Sequence, residues 1–141
     1  MKQILLAVSA DHDTEWATDF VIRMHQREPV MIHVLSVQPS WNGHVRLFFS
    51  SAQIDRFHQE DAASELRPVL AALDEARAAY MTHVAVGSSA EVIASFAQDI
   101  GCAQIVMGPM RQGRLAQALL GSLTREVDRL MQSAGLRCEV L

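Results

Sequence analysis

The part of the sequence best suited to chemistry is a glycine-containing stretch between residues 108 and 122. It begins with Gly108-Pro-Met-Arg-Gln-Gly113 and ends with Gly121-Ser122, where a helix is predicted to start. Glycine lets backbone amides approach an anion closely, and a helix start adds N–H groups and a positive dipole end. The stretch therefore predicts either an anion-binding loop or a plain strand-to-helix connection with turn glycines. It contains no GxxxxGK[ST] motif, so it is not a P-loop.

A second group of polar residues follows the first apolar run. Ser9, Asp11, His12 and Asp13 include the residue types of a hydrolase triad. Neighbours in sequence rarely converge in space as a nucleophile, its base and an orienting group must. We therefore interpret them as solvated loop residues, with Asp11 or Asp13 as a helix cap, and assign no catalytic residue.

Histidine and cysteine do not predict a metal site. The six histidines show no paired spacing such as HExxH. His33 lies within an apolar run and is predicted to be a hydrogen-bonded core or strand-end residue. Cys102 and Cys138 fall within predicted strands without metal-ligand spacing, so we interpret them as reduced structural thiols.

Length and composition limit the possible classes. A chain of 141 residues fits a single domain spanning 1–141. Its net charge of -4, with Lys2 as the one lysine, argues against nucleic-acid binding. No run approaches the roughly 20 apolar residues of a membrane span, and the apolar start is too short for a signal peptide. We therefore predict a cytoplasmic protein with neither a membrane nor a nucleic acid as partner.

Five short apolar runs alternate with helical patterns along the chain. Runs without polar alternation are typical of strands buried on both faces. The predicted strands are 4–8, 29–35, 84–86, 105–107 and 136–141. The predicted helices are 13–26, 53–80, one from Ser88 or Ser89 to Gly101, and one from Gly121 or Ser122 to Gly135. Pro68 is predicted to kink or divide the second helix.

This alternation predicts a doubly wound parallel sheet with helices on both faces. In such sheets ligands bind beyond the carboxyl ends of the strands, at the point where the strand order reverses. The glycine loop follows the fourth predicted strand and would lie at that edge.

Several segments together resemble the universal stress protein (UspA-like) family. Ile105-Val106-Met107-Gly108 and Leu119-Leu120-Gly121-Ser122 are similar to the family's glycine-loop signature. Ile4–Val8 resembles its first strand, Ile32-His33-Val34 its second, and Gly87–Ile93 the turn and helix after its third. The segments follow in order over the whole chain, with residues 37–52 least alike. The resemblance implies a five-stranded parallel sheet in the order 3-2-1-4-5, adenine-nucleotide alpha-hydrolase-like.

The resemblance also implies a function and a site. The family's members are non-enzymatic regulatory or protective proteins, commonly homodimers, with an optional ATP site. Gly108, Gly121 and Ser122 match positions that hold the phosphates, and Val34 matches the position beside the adenine. No cofactor is required, and ATP or AMP would be an optional ligand, bound weakly.

Two departures from the family pattern fall on that site. Arg111 replaces the middle glycine of the loop, where its side chain either fills space that the nucleotide needs or swings out to hold an anion. Ser9 replaces an aspartate that contacts the nucleoside, which removes a charge-assisted hydrogen bond of about 1.5–3 kcal/mol. We therefore predict a dimeric binding or regulatory module with a weakened or lost nucleotide site. The alternatives are a regulatory ATP- or AMP-binding protein and an enzyme that cleaves an adenylyl or phosphoryl bond.

Two further segments carry predictions about contacts. The last strand has no strand after it, so it is predicted to lie at a sheet edge and, by the resemblance, to form the dimer. A two-fold axis near Cys138 would place Arg137 opposite Glu139 of the second chain. The aromatic segment 41–49 is either a lid, a partner-binding patch or a loop packed on the domain's own surface. Phe48 or Phe49 is predicted to be buried against the fold or against a second subunit.

Overall fold

The computed structural model describes residues 1–41, 43–110, 122–136 and 138–141. Five parallel strands form one sheet in the order β3-β2-β1-β4-β5, which confirms the predicted fold. The strands are β1 (Lys2–Val8), β2 (Val30–Gln38), β3 (Tyr80–Val86), β4 (Gln104–Val106) and β5 (Glu139–Val140). The helices in the described ranges are α1 (Thr14–Arg27), α2 (Gly43–Arg46), α3 (Ser51–Glu75), α4 (Ser89–Ile100) and α5 (Ser122–Ser133).

The sheet is covered by helices on both faces, as predicted. Because side chains alternate along a strand, Ile4 and Leu6 of β1 pack under α1 and α3. Leu5 and Ala7 point to the other face and pack under α4 and α5. All four side chains are almost completely buried. The central strand therefore reads as a continuous apolar run because each face has its own core.

Helix α1 begins as predicted, with Asp13 as its cap. The side chain of Asp13 caps it by accepting the backbone N–H of Trp16 at 3.0 Å. Its buried residues are Ala17, Thr18 and Val21, while Trp16 stays 43% exposed. Small residues let the helix approach the sheet, and the larger Trp16 is left to stack on Phe20 at the rim.

Helix α3 ends earlier than predicted, and of the two outcomes predicted for Pro68 the division does not occur. Pro68 does not divide the helix, which continues to Glu75. Pro68 and Ser64 are both exposed, so solvent can hydrate the carbonyl that the proline leaves without a donor. The helix ends five residues before the predicted Tyr80 because Arg77 adopts a left-handed conformation with φ of 57°. Tyr80 instead starts β3.

The last strand is shorter than predicted, and β4 keeps its predicted length but begins one residue earlier. β4 and β5 are paired through Gln104–Glu139 and Ile105–Val140, and β5 lies at the sheet edge as expected. Cys102 lies two residues before β4 and Cys138 one residue before β5, so neither lies within a strand as predicted. Arg137 lies outside the described residues, so its expected pairing with Glu139 stays a prediction. Within the described ranges, no helix combines the length and the apolar character needed to cross a bilayer.

Candidate nucleotide site at the carboxyl edge of the sheet

The strand order reverses between β1 and β4, and both strands end at the same edge of the sheet. The segment after β1 begins at Ser9, and the segment after β4 begins at Met107. Open parallel sheets bind ligands at this kind of crevice. The structure therefore brings the start of the glycine loop next to the segment that carries Ser9, as the sequence predicts.

Backbone hydrogen bonds join these two segments. The N–H of Asp13 donates to the carbonyl of Pro109 at 2.7 Å. His12 and Met110 form an isolated antiparallel bridge beside it. Because Asp13 also caps α1, the first residues of the glycine loop are fixed against the start of that helix. This part of the edge is thus preformed.

Gly108 occupies a position that only glycine fits well. Its φ is +81°, a conformation that L-residues rarely adopt. A Cβ atom there would lie 2.7 Å from the carbonyl oxygen of Asp13. The N–H of Gly108 donates to the carbonyl oxygen of Leu141 at 3.1 Å, and that of Met107 donates to the same oxygen at 2.7 Å. In this structure the glycine serves close backbone packing, and its N–H is already engaged.

Of the other three predicted site residues, Val34 is the one whose side chain the structure describes. Val34 is fully buried in the core under α1 and α3, paired in register with Leu6 and Thr82. Gly121 and Arg111 lie outside the described residues. Ser122 is the first residue of α5, and its side chain is not among those described. As nucleotide contacts, Val34, Gly108, Gly121 and Ser122 stay predictions.

A pocket of about 360 Å³ opens beside Ser9. Its floor is the end of β1, and α3 contributes two carboxylates, Asp61 and Glu65. Burial raises the pKa of Glu65, while the hydrogen bond that Ser36 Oγ donates to it at 2.9 Å acts in the opposite direction. No Lys, Arg or His is among the described residues that line this pocket. These two carboxylates were not identified from the sequence. Their i, i+4 spacing on a predicted helix is the signal that places Asp61 and Glu65 on the same helix face.

His12 corrects one sequence-based interpretation. We expected a solvated loop residue, but His12 is only 2% exposed. His12 forms the bridge to Met110, a contact between residues almost a hundred positions apart. Burial lowers the pKa of His12, and the nearby charge of Asp11 opposes that shift. A histidine in this state is largely neutral at pH 7, so it adds little positive charge for a phosphate.

His33 is a hydrogen-bonded core residue, as predicted. It is 6% exposed, and its Nε2 lies 2.6 Å from Gln3 Oε1. An amide oxygen only accepts, so Nε2 of a neutral His33 carries the proton and Nδ1 accepts from His83 Nε2 at 3.0 Å. Burial lowers the pKa of His33, and so does the charge of His83 when protonated. These contacts favour the neutral form of both imidazoles, His33 and His83.

The aromatic segment packs on the domain's own surface. Trp41 stacks on Phe57 of α3 with ring centroids 5.4 Å apart, and Phe49 meets the edges of both rings. Phe49 remains 37% exposed and Phe48 71% exposed, so Phe49 is packed rather than buried. A groove of about 530 Å³ lies between α3 and β3 rather than at the switch point. Among the described residues, no three His, Cys, Asp or Glu side chains gather as metal ligands would.

Comparison with known proteins identifies relatives of the whole chain. The family model described as "Universal stress protein family" matches residues 1–132. No curated protein matches the sequence significantly. Similar solved structures include hypothetical protein MJ0577 (22% identity, TM-score 0.77, 99% of this chain and 94% of that one). A universal stress protein in complex with cAMP has 15% identity and a TM-score of 0.72, covering 99% and 94%. The universal stress protein from Archaeoglobus fulgidus in complex with dAMP has 19% identity and a TM-score of 0.66, covering 99% and 97%.

Proposed function

The chain belongs to the universal stress protein family, and from this premise we propose that it is a non-enzymatic, cytoplasmic stress-response protein. It acts as a dimeric binding or regulatory module whose nucleotide site is weakened or lost. Its protein partner would bind the dimer, with no cofactor required. ATP or AMP would be a weak, optional ligand.

The acidic pocket beside Ser9 is the observation that carries this proposal. A nucleotide needs acceptors for the nucleoside and positive charge or open N–H groups for the phosphates. Ser9 offers a hydroxyl in place of a carboxylate, and that hydroxyl already accepts the N–H of Asp11 at 3.3 Å. Asp61 and Glu65 add negative rather than positive charge. Losing the charge-assisted bond alone corresponds to at least about tenfold in affinity.

Restoring the family pattern tests the proposal. The double variant Ser9→Asp/Arg111→Gly is titrated calorimetrically with ATP, ADP and AMP, with and without magnesium or manganese. We expect its affinity for ATP to exceed that of the unaltered protein by at least about tenfold. Ser95→Asp is the matched control, because Ser95 is exposed on α4 and receives the same charge away from the β1 end. If the double variant and the unaltered protein bind ATP with equal affinity, Ser9 and Arg111 are not the cause of weak binding.

A regulatory ATP- or AMP-binding protein is the second candidate. It is favoured by the relatives solved with cAMP and dAMP, and by the preformed backbone around Gly108. Tight binding without turnover would support it. Turnover of bound ATP would instead favour an enzyme that cleaves a phosphoryl or adenylyl bond.

The proposed dimer forms through the outer edge of β5. The N–H groups of Glu139 and Leu141 donate to Ala103 and Ile105 of the same chain. Because N–H directions alternate along a strand, that of Val140 points away from β4, toward the outer edge. Val140→Pro removes this donor and spares the bonds to β4, whereas Val140→Ala keeps it. We expect light scattering at micromolar concentration to show a dimer for Val140→Ala and a monomer for Val140→Pro. A dimeric proline variant would place the interface elsewhere.

A further inference from the structure

Cys102 and Cys138 form a close pair near the beginning of the neighbouring short strands β4 and β5. Cys102 Sγ lies 3.5 Å from Cys138 Sγ, although the residues are far apart in sequence. Both are free thiols, Cys102 7% exposed and Cys138 half-buried. The pairing of Gln104 with Glu139 sets this proximity, since Cys138 precedes that pair by one residue and Cys102 by two. A disulfide bond is about 2.05 Å long, so the sulfurs need to approach by only about 1.5 Å.

We propose that Cys102 and Cys138 are a redox modification site that closes to an intramolecular disulfide when the protein meets hydrogen peroxide. The site is separate from the nucleotide pocket and does not depend on whether that pocket binds ligand. In a reducing compartment such a bond is transient and serves sensing rather than permanent stabilisation.

The chemistry assigns different roles to the two thiols. Cys138 is the more exposed, so its thiolate attacks one peroxide oxygen; the S–O bond forms, the O–O bond breaks, and the leaving hydroxide takes a proton to become water. Cys102 Sγ then attacks the sulfenic sulfur of Cys138; the S–S bond forms, the S–O bond breaks, and the Cys102 proton leaves in a second water. Two thiols are oxidised and one peroxide is reduced.

The local contacts agree with this order. The hydrogen bond between the two sulfurs lowers the pKa of Cys138, while burial and the charges of Asp128 and Glu139 oppose that shift. The same hydrogen bond raises the pKa of Cys102, and burial raises it further. Cys138 is therefore the better thiolate, and Cys102 keeps its proton until it resolves the sulfenic acid.

The cross-link would act on the edge strand and, through it, on the start of the glycine loop. β5 is short, and it is held by few backbone bonds at its two ends. The disulfide fixes the end at Cys138, and the carbonyl of Leu141 at the other end accepts from Met107 and Gly108. Oxidation is thus expected to reduce local opening of β5 and of the segment after β4.

The test compares reduced and peroxide-treated protein. We expect the intact mass to fall by two hydrogens per chain, both thiols to resist alkylation, and the product to remain a single chain on a non-reducing gel. Dithiothreitol should reverse the change. Closing a loop of this length should raise Tm by about 5–10 °C. The amides of Met107 and Gly108 should exchange more slowly with deuterium, while that of Glu28, at the end of α1, should not change.

Two variants assign the roles. Cys102→Ala should trap a dimedone-reactive sulfenic acid on Cys138, and Cys138→Ala should leave the buried Cys102 unmodified. A Cys138–Cys138 link between two chains would overturn the proposal, as would over-oxidation of Cys138 in the unaltered protein without any disulfide. Modification of Cys102 in the Cys138→Ala variant would overturn the assigned order of attack.

Discussion

Replacing Gly108 by alanine tests the closest backbone approach at the carboxyl edge. Gly108 has φ of +81°, and its added Cβ would lie 2.7 Å from Asp13 O and 3.4 Å from Ala17 Cβ. The left-handed conformation costs about 1–2 kcal/mol for an L-residue. The clash is with backbone, so α1 must move or the loop must shift, and such overpacking costs about 1–3 kcal/mol more.

The expected loss is therefore about 2–5 kcal/mol of unfolding free energy, a large share of the stability of a small domain. For a chain of this size it corresponds to a fall in Tm of about 5–15 °C. Chemical denaturation followed by circular dichroism measures it, with the slope against denaturant showing whether unfolding remains two-state.

Substitutions at two other glycines separate the conformational cost from the cost of the steric clash. Gly101 also has positive φ, at +62°, but a Cβ there meets nothing within 4 Å. Gly101→Ala should therefore show only the conformational cost of about 1–2 kcal/mol. Gly43 also has nothing within 4 Å, and Gly43→Ala should be neutral or slightly stabilising. If Gly108→Ala costs no more than Gly101→Ala, the close approach to Asp13 does not constrain the loop.

The remaining predictions concern the histidine pair and the first helix cap. Because burial lowers the folded pKa of His33 from 6.5, the unfolded chain binds its proton first. This contribution to stability is fully present above pH 6.5 and is lost as the pH falls below 6.5 and through the folded pKa. His33→Gln should flatten the fall of unfolding free energy over that window, and an unchanged slope would refute the assignment. Asp13→Ala should cost about 0.5–2 kcal/mol in denaturant unfolding. Asp11 is exposed and is not the cap of α1, so Asp11→Ala should lower the unfolding free energy less than Asp13→Ala does. Equal losses in the two variants would exclude capping as the cause.

The fold was predictable because its strongest signals are local. β1 sits at the centre of a sheet covered on both faces, so its side chains from Ile4 to Val8 are all apolar. Gly101 ends α4 in the left-handed conformation, as its position after an apolar helical pattern indicates. The end of α3 was missed because Arg77, not a glycine, adopts the left-handed turn there.

The longer reach of β2 also has a physical reason. The sequence predicted its end at Leu35, since polar residues follow. Ser36 and Gln38 are nevertheless buried, because Gln38 Nε2 donates to Ser36 Oγ and Ser36 Oγ donates to Glu65. Paired polar groups can occupy a core that unpaired ones cannot.

The position of Gly108 at the carboxyl edge of the sheet was predictable, but the contacts around it were not. Gly108 marked the carboxyl edge because it directly follows the apolar run 105–107, which is visible in the local sequence. The burial of His12 depends on a bridge to Met110, and the thiol pair depends on the register between β4 and β5. Neither contact has a local sequence signal, because each joins residues that only the folded sheet brings together.

Calorimetric titration of ATP into the unaltered, reduced protein tests the central claim most directly. With carboxylates of Asp61 and Glu65 beside Ser9, and the N–H of Gly108 donated to Leu141, we expect only weak binding or none, with or without magnesium. A saturable, sub-micromolar ATP isotherm would contradict the proposal that this member's nucleotide site is weakened or lost.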